Sequence, residues 1–209
     1  MISLEDYLKD PCGSSSLPWW KTRDFQLPPG TQVVHARDFD EGLLLHHHDE
    51  PYFRLHHDLI HIPEKSLPGF DIRQATSADA REIARIINAS YPDISVSLKT
   101  VNSWCELPVY DPALWLMVRK TDSGKAVACA TAEYDHQARE GILDWVQVLP
   151  AYRRRGIGRT MVYALLSRLK DKADFATVSG RINNPANPEA LYRACGFTGN
   201  GMWHVLRGR

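Results

Sequence analysis

Val146-Gln-Val-Leu-Pro-Ala-Tyr-Arg-Arg-Arg-Gly-Ile-Gly158 predicts a strand, a basic turn and the start of a helix in immediate succession. The apolar strand ends at Pro150, three arginines follow, and Gly156 and Gly158 open a long amphipathic segment. Backbone N–H groups in the first turn of a helix have no internal partners and carry partial positive charge. Glycines let a phosphate approach those groups closely, and the arginines add formal charge. The stretch therefore predicts a binding site for a pyrophosphate or a similar polyanion.

Two common nucleotide motifs do not fit this stretch. A P-loop needs Gly-x-x-x-x-Gly-Lys-Ser/Thr, and a dinucleotide-binding turn needs three glycines. The segment after the turn carries apolar residues at every fourth position, namely Ile157, Met161, Leu165 and Leu169. This spacing predicts a helix whose apolar stripe packs into the core.

The rest of the chain from residue 69 onward predicts short strands alternating with helices. Strands are predicted at 70–75, 114–119, 126–134, 141–149, 175–182 and 202–206. Helices are predicted from the capping-box pattern Thr76-x-x-Asp79 onward, from about Leu98 to Pro108, after Gly158, and at 188–195. Asp122-Ser-Gly124 predicts a hairpin between the second and third strands. The order of these elements predicts a mixed α/β fold.

Residues 1–68 differ from the remainder in composition. They hold seven of the nine histidines, many prolines, and the aromatic residues Trp19, Trp20 and Phe25. Weak alternation at 32–39 suits a strand, and 52–59 suits a short helix or a strand. We expect an ordered N-terminal extension of residues 1–68 that packs onto a main domain of residues 69–209.

The histidine run His46-His-His48 invites a metal interpretation, but we expect no metal site. Three consecutive histidines cannot all face one ion in regular structure, and no cysteine or paired carboxylate completes a zinc site. The four cysteines are scattered without Cys-x-x-Cys spacing, which favours reduced thiols.

The overall charge excludes some classes of partner. Lys and Arg number 25, and so do Asp and Glu, so the chain lacks the positive charge typical of a nucleic-acid-binding protein. No apolar run is long enough to cross a bilayer, and the first residues lack a signal-peptide pattern. We therefore expect a cytoplasmic protein with neither nucleic-acid nor membrane partners, either a monomer or a homodimer.

Two motifs together resemble one protein family. Val148-x-Pro150-x-Tyr152, followed by Arg153-x-x-Gly156-x-Gly158, resembles the coenzyme A signature of the GNAT superfamily of N-acetyltransferases. Asn184-Pro-Ala-Asn-Pro-Glu-Ala-Leu-Tyr192-Arg-Ala-Cys-Gly-Phe197 resembles a late helix of that family. The resemblance covers residues 69–209. It implies a mostly antiparallel central sheet with flanking helices, the GNAT-like acyl-CoA N-acyltransferase fold.

The resemblance also implies an activity and a set of site residues. The activity is direct transfer of an acetyl group from acetyl-CoA to a primary amine of a small molecule or peptide; the alternative is a non-catalytic acyl-CoA-binding regulatory module. The resemblance implies that the phenol of Tyr192 protonates the leaving thiolate; the alternative is that Tyr192 is a half-buried packing residue. It implies that coenzyme A is held by the main chain of Val146, Gln147 and Val148 and by the turn of Arg153, Arg154, Arg155, Gly156, Ile157, Gly158 and Arg159.

The general base is a separate question, because the resemblance does not fix it. Alternation along the strand predicts that Asp144 shares a face with Ile142 and Val146, where an aspartate is unusual without a task or partner. Asp144 is the candidate base, and Glu133 and Glu140 compete with it. A salt-bridged or edge aspartate is an equal alternative.

The asparagine loop departs from the family pattern. The spacing from Asn184 to Tyr192 is one residue longer than usual, and two prolines interrupt it. Asn183, Asn184 or Asn187 could donate a hydrogen bond to the pantetheine arm of coenzyme A, and we favour Asn184. Asn187 precedes Pro188, so we assign it to the helix cap.

Overall fold

The computed structural model describes residues 2–23, 26–91 and 93–209, and these divide into two compact units. The second unit comprises Leu59–Ala176, and the first combines residues 1–58 with Thr177–Arg209. Phe25, one of the aromatic residues expected to anchor the N-terminal segment, lies outside the described residues.

The second unit is a four-stranded antiparallel sheet with helices. Its strands lie in the order β6-β5-β4-β3. Its elements are β3 (Phe70–Gln74), α2 (Ala80–Asn88), α3 (Leu98–Trp104), β4 (Tyr110–Lys120), β5 (Ala126–Asp135), β6 (Glu140–Val148) and α4 (Ile157–Leu169).

The first unit contains strands from both ends of the chain. Its strands lie in the order β1-β8-β2-β7, with β8 antiparallel to both β1 and β2. Its elements are α1 (Leu4–Lys9), β1 (Thr31–His35), β2 (His47–His57), β7 (Phe175–Arg181, from Thr177 onward), α5 (Pro188–Arg193) and β8 (Thr198–Gly208).

The apolar patterns of the sequence explain the core of the second unit. The predicted stripe of α4, from Ile157 to Leu169, is buried. Leu169 packs so closely on Gly141 of β6 that a Cβ at Gly141 would lie 2.6 Å from a Leu169 methyl carbon. A larger residue at Gly141 would therefore force the Leu169 side chain to shift where this helix crosses the strand.

A buried carboxylate fixes the entry to α2. Asp79 accepts from the backbone N–H of Thr76 at 2.9 Å, which confirms the predicted capping box. Its carboxylate also pairs with Arg73 at 2.7 Å and Arg119 at 3.0 Å. These partners, Arg73 first, hold the pKa of Asp79 well below its usual range.

The structure corrects the predicted elements in several places. The segment predicted at 52–59 is the eleven-residue strand β2, and the strand predicted at 202–206 extends over Thr198–Gly208. The strand predicted at 32–39 ends at His35, where a short 3-10 helix, Ala36–Asp38, begins.

The boundaries of the two units also differ from the predicted domain boundary at residue 68. The reason is strand pairing: β1 and β2 both pair with β8, so the N-terminal segment is part of a sheet with the last strand of the chain. Such long-range pairing leaves no local trace in the sequence.

Candidate active site

The basic turn is built onto the end of β6. Pro150 begins a 3-10 turn that ends the strand, and the Nε of Arg153 donates to the carbonyl oxygen of Val148 at 3.1 Å. Arg154 and Gly156 both adopt left-handed backbone conformations, with φ of 63° and 83°. Gly156 adopts such a conformation at little cost. The turn therefore connects the end of β6 to the start of α4.

The N-terminus of α4 offers backbone donors to an anion. Gly156 is its N-cap, and the first helical bond runs from the N–H of Thr160 to the Gly156 carbonyl at 3.0 Å. The N–H groups of the residues between them have no acceptor within the helix. A Cβ placed at Gly156 would meet no described atom within 4 Å apart from its chain neighbours, so the space beside this N-cap is open.

Cationic side chains surround this opening. Arg154, Arg155 and Arg159 are exposed. Within the described part of the chain, Arg154 and Arg159 form no ion pair. The Arg155 guanidinium lies 5.5 Å from the ring centroid of Tyr152. The positive charges add to the helix dipole, so the turn is suited to a pyrophosphate.

A β-bulge places the candidate base differently from the prediction. Thr131 pairs with Trp145 but Ala132 pairs with Leu143, so Asp144 is an extra residue in β6. A bulge interrupts the alternation of side chains. The predicted continuous face from Ile142 through Asp144 to Val146 is therefore wrong, and Asp144 is exposed to solvent.

A small aromatic recess lies beside this bulge, with a volume of about 10 Å³. Aromatic rings and two carboxylates line it, among them Trp104, Tyr110, Trp115, Glu133 and Asp144. The rings of Trp104 and Trp145 stack with centroids 5.7 Å apart, and Tyr110 meets Trp115 edge-on at 5.3 Å. Burial raises the pKa of the Tyr110 phenol.

Only one of the two glutamates that compete with Asp144 for the role of base lines the recess. Glu133 lines it together with Asp144, whereas Glu140 does not line it and is fully buried at the start of β6. Sequence reasoning missed the aromatic residues of the recess, which come from α3 and β4. The only sequence signal was the density of tryptophan and tyrosine between 104 and 115.

Comparisons with known proteins identify the family of this chain. The model of the acetyltransferase (GNAT) family matches residues 80–197, which is more than half of the chain. The chain belongs to the GNAT family of acetyltransferases. A search of curated proteins found no match.

Several solved structures share the fold of this chain at low sequence identity. A GCN5-related N-acetyltransferase from Sphaerobacter thermophilus has a TM-score of 0.70 and 19% identity, and a Drosophila protein has a TM-score of 0.62 and 19% identity. These alignments cover 85% and 91% of this chain but only 58% and 65% of the other chains. The ribosomal-protein-S18-alanine N-acetyltransferase from Escherichia coli has a TM-score of 0.53 and 22% identity, with 66% of this chain and 91% of that chain covered.

The predicted GNAT residues fall into both units. The main chain of Val146–Val148 and the turn 153–159 lie in the second unit with Asp144, whereas Asn184 and Tyr192 lie in the first. Residues 146–148 of β6 pair with residues 128–130 of β5. The side chain of Gln147 donates to the Tyr91 hydroxyl at 3.2 Å.

Tyr192 is a buried residue of α5. Its ring is 6% exposed and lies 6.1 Å from the Phe53 ring and 5.6 Å from the Phe197 ring, measured between centroids. Gly196, with φ of 97°, ends the helical segment and lets Phe197 turn back. The structure thus gives Tyr192 a packing role, and its role as an acid stays a prediction.

The two asparagines of the loop have different surroundings. Asn187 caps α5, since its side chain accepts from the N–H of Ala190 at 3.3 Å, as predicted. The Asn184 side-chain oxygen accepts from the N–H of Ala186 at 2.9 Å. That bond uses its oxygen, so the amide N–H₂ of Asn184 is the group left for a ligand.

The histidines are part of the structure of the first unit. His204 Nδ1 lies 2.9 Å from an Asp49 oxygen, and its ring stacks on Phe39. His57 is buried against Phe197, and that burial lowers its pKa. Among the described residues no group of three His, Cys, Asp or Glu is placed to hold a metal. In the same part of the chain no helix is long and apolar enough to span a membrane.

Proposed function

We propose that this chain transfers an acetyl group from acetyl-CoA to a primary amine of a small molecule or peptide. The observation that supports this most is the open N-terminus of α4, where Gly156 leaves the backbone donors accessible between unpaired arginines. A pyrophosphate needs both features, and the chain belongs to a family of acetyltransferases.

The residues of the turn would hold the cosubstrate. The backbone of residues 156–159 and the side chains of Arg154 and Arg159 would bind the pyrophosphate, while the main chain of Val146–Val148 and the Asn184 amide would bind the pantetheine arm. Acetyl-CoA supplies the thioester carbonyl that the amine attacks. Binding at two separated points would position that carbonyl and lower the entropic part of the barrier.

A base must remove a proton from the acceptor, because an alkylammonium has a pKa of about 10 and no lone pair. We assign this task to Asp144, with Glu133 as its competitor in the same recess. The exposed position of Asp144 suits proton exchange with solvent. The neighbouring rings of Trp104 and Tyr110 suit an incoming ammonium group, because cations bind favourably to aromatic faces.

The leaving thiolate requires an acid. We assign this to the Tyr192 hydroxyl, which is a proton donor at neutral pH. The tight packing of its ring by Phe53 and Phe197 would hold the hydroxyl in one position.

The proposal is tested by measuring thiol release from acetyl-CoA against a panel of amines and amino-terminal peptides, alongside calorimetric titration with coenzyme A. We expect both binding and amine-dependent thiol release. Binding without release for every amine would favour the alternative, a non-catalytic acyl-CoA-binding module. Absence of coenzyme A binding by the folded protein would refute both.

A further inference from the structure

The first unit contains a large cavity that shares no residue with the site proposed for acyl transfer. Its volume is about 890 Å³, which lies within the range of small-molecule binding sites. Ser16, Leu17 and residues 27–30 form one side, and residues of β1, β2, β7 and β8 form the other.

Most of the cavity wall is apolar. Val33 of β1 and Val205 of β8 lie directly opposite each other in the sheet, and both line the cavity. Leu17 and Leu27 cover it from the loop side. The indole N–H of Trp203, another lining residue, donates to the Cys12 carbonyl at 2.8 Å, which fixes the ring.

The charged groups in the wall are of one sign. Arg54, Arg207 and Arg209 line the cavity, and no Asp or Glu is among the described lining residues. Arg207 is exposed at the rim, where it lies 3.3 Å from a Glu50 oxygen.

Arg54 is the buried member of this set, with only 1% of its surface exposed. Its guanidinium donates to the Pro11 carbonyl at 3.2 Å, to the Ser179 hydroxyl at 3.2 Å and to the Tyr7 hydroxyl at 2.8 Å. These bonds fix its plane, so the cation is held in one orientation in the wall. Burying a guanidinium is costly, and a fixed arginine is well suited to recognising an anionic group.

We propose that this cavity binds a small amphipathic organic anion. An aromatic or alkyl body would contact Val33, Val205 and Trp203, and a carboxylate, sulfonate or phosphate would lie toward the arginines. Apolar burial would supply most of the affinity, and the charged hydrogen bonds would set the orientation.

The test uses the full chain and two fluorescent probes of similar ring structure. Anilinonaphthalene sulfonate is an amphipathic anion, and phenylnaphthylamine has the same rings without the charge. Titrations are run with and without saturating coenzyme A, which competes for anions at the basic turn. Circular dichroism verifies that each variant is folded.

Two kinds of variant separate the apolar and the charged parts of the site. Val205→Trp and, independently, Val33→Trp fill the cavity. Arg207→Gln removes a rim cation, and Arg37→Gln is its matched control, because Arg37 is a similarly exposed arginine paired with an aspartate outside the cavity.

We expect saturable binding of the sulfonate that persists with coenzyme A and is lost in either tryptophan variant. Arg207→Gln should weaken binding of the sulfonate about tenfold, the scale of one charged hydrogen bond, but not binding of the neutral probe. Arg37→Gln should leave both probes unaffected. Displacement of the sulfonate by coenzyme A, or unchanged affinity in a folded tryptophan variant, would overturn the proposal. These readouts do not depend on acetyl transfer. The proposed anion site and the proposed acetyltransferase activity can therefore be refuted independently.

Discussion

Replacement of Gly156 by leucine tests the basic turn most directly. Gly156 has φ of 83° and its Cβ direction is open, so leucine would fit without a clash but in a strained backbone conformation. We expect that strain to cost about 1–2 kcal/mol of folding stability. The new side chain would occupy the space from which a pyrophosphate reaches the α4 donors. Loss of two charge-assisted hydrogen bonds, at about 1.5 kcal/mol each, weakens coenzyme A binding about 100-fold.

Gly69→Leu is the matched control for that strain. Gly69 also has a left-handed φ, 81°, and no other described atom within 4 Å of its Cβ position, but it precedes β3 and lies outside the turn. Both variants should lose similar stability in urea unfolding, whereas only Gly156→Leu should lose affinity in calorimetric titration with coenzyme A at fixed ionic strength. A folded Gly156→Leu protein with wild-type affinity would show that coenzyme A does not bind at this turn.

Four further changes test the remaining assignments. Tyr192→Phe should lower kcat about 100-fold in steady-state assays while calorimetry shows unchanged coenzyme A affinity. A kcat equal to that of wild type would show that Tyr192 has only a packing role. Asp144→Asn should lower the rate most at low pH, where more of the amine is protonated, and a pH–rate profile superimposable on wild type would move the base elsewhere. Asp79→Asn should cost about 1–3 kcal/mol at pH 7, because Arg73 and Arg119 lose their carboxylate but are themselves about one third exposed to solvent. Because the folded-state pKa of Asp79 is lowered, this stabilisation is present above about pH 4 and is lost as the pH falls through the folded pKa. The difference in urea unfolding between the variant and wild type should therefore close in acid, and a pH-independent difference would contradict it. Deleting residues 1–58 should leave an aggregating protein in size-exclusion chromatography, and a monodisperse product with wild-type melting temperature would contradict the sheet pairing as a source of stability.

Features that depend on neighbouring residues were predictable from the sequence. The buried stripe of α4, the capping box at Thr76–Asp79 and the cap at Asn187 are confirmed. Each is set by contacts within a turn or two of helix, so residue type and spacing suffice. The family motifs predicted the GNAT fold because the turn at residues 153–158 is likewise a local structure that residue type and spacing specify.

Features that depend on strand partners were not predictable. The bulge at Asp144 exists only in the register between β5 and β6, and a single extra residue changes the side to which the following side chains point. The recess likewise requires Trp104 from α3 to meet Tyr110 and Trp115 from β4. No periodicity within one segment carries that information.

The pairing of β2 also connects the N-terminal segment to the proposed chemistry. Phe53 of β2 is buried, its ring packs on Tyr192, and a Cβ at Gly180 would lie 2.6 Å from it. The family model begins at residue 80 and so omits this strand. The position of the proposed acid therefore depends on residues outside the family motifs, since the Tyr192 ring is held partly by Phe53. We expect Phe53→Ala to impair turnover, because the Tyr192 ring loses part of its packing. We expect the same variant to leave coenzyme A affinity unchanged, because the basic turn lies in the other unit.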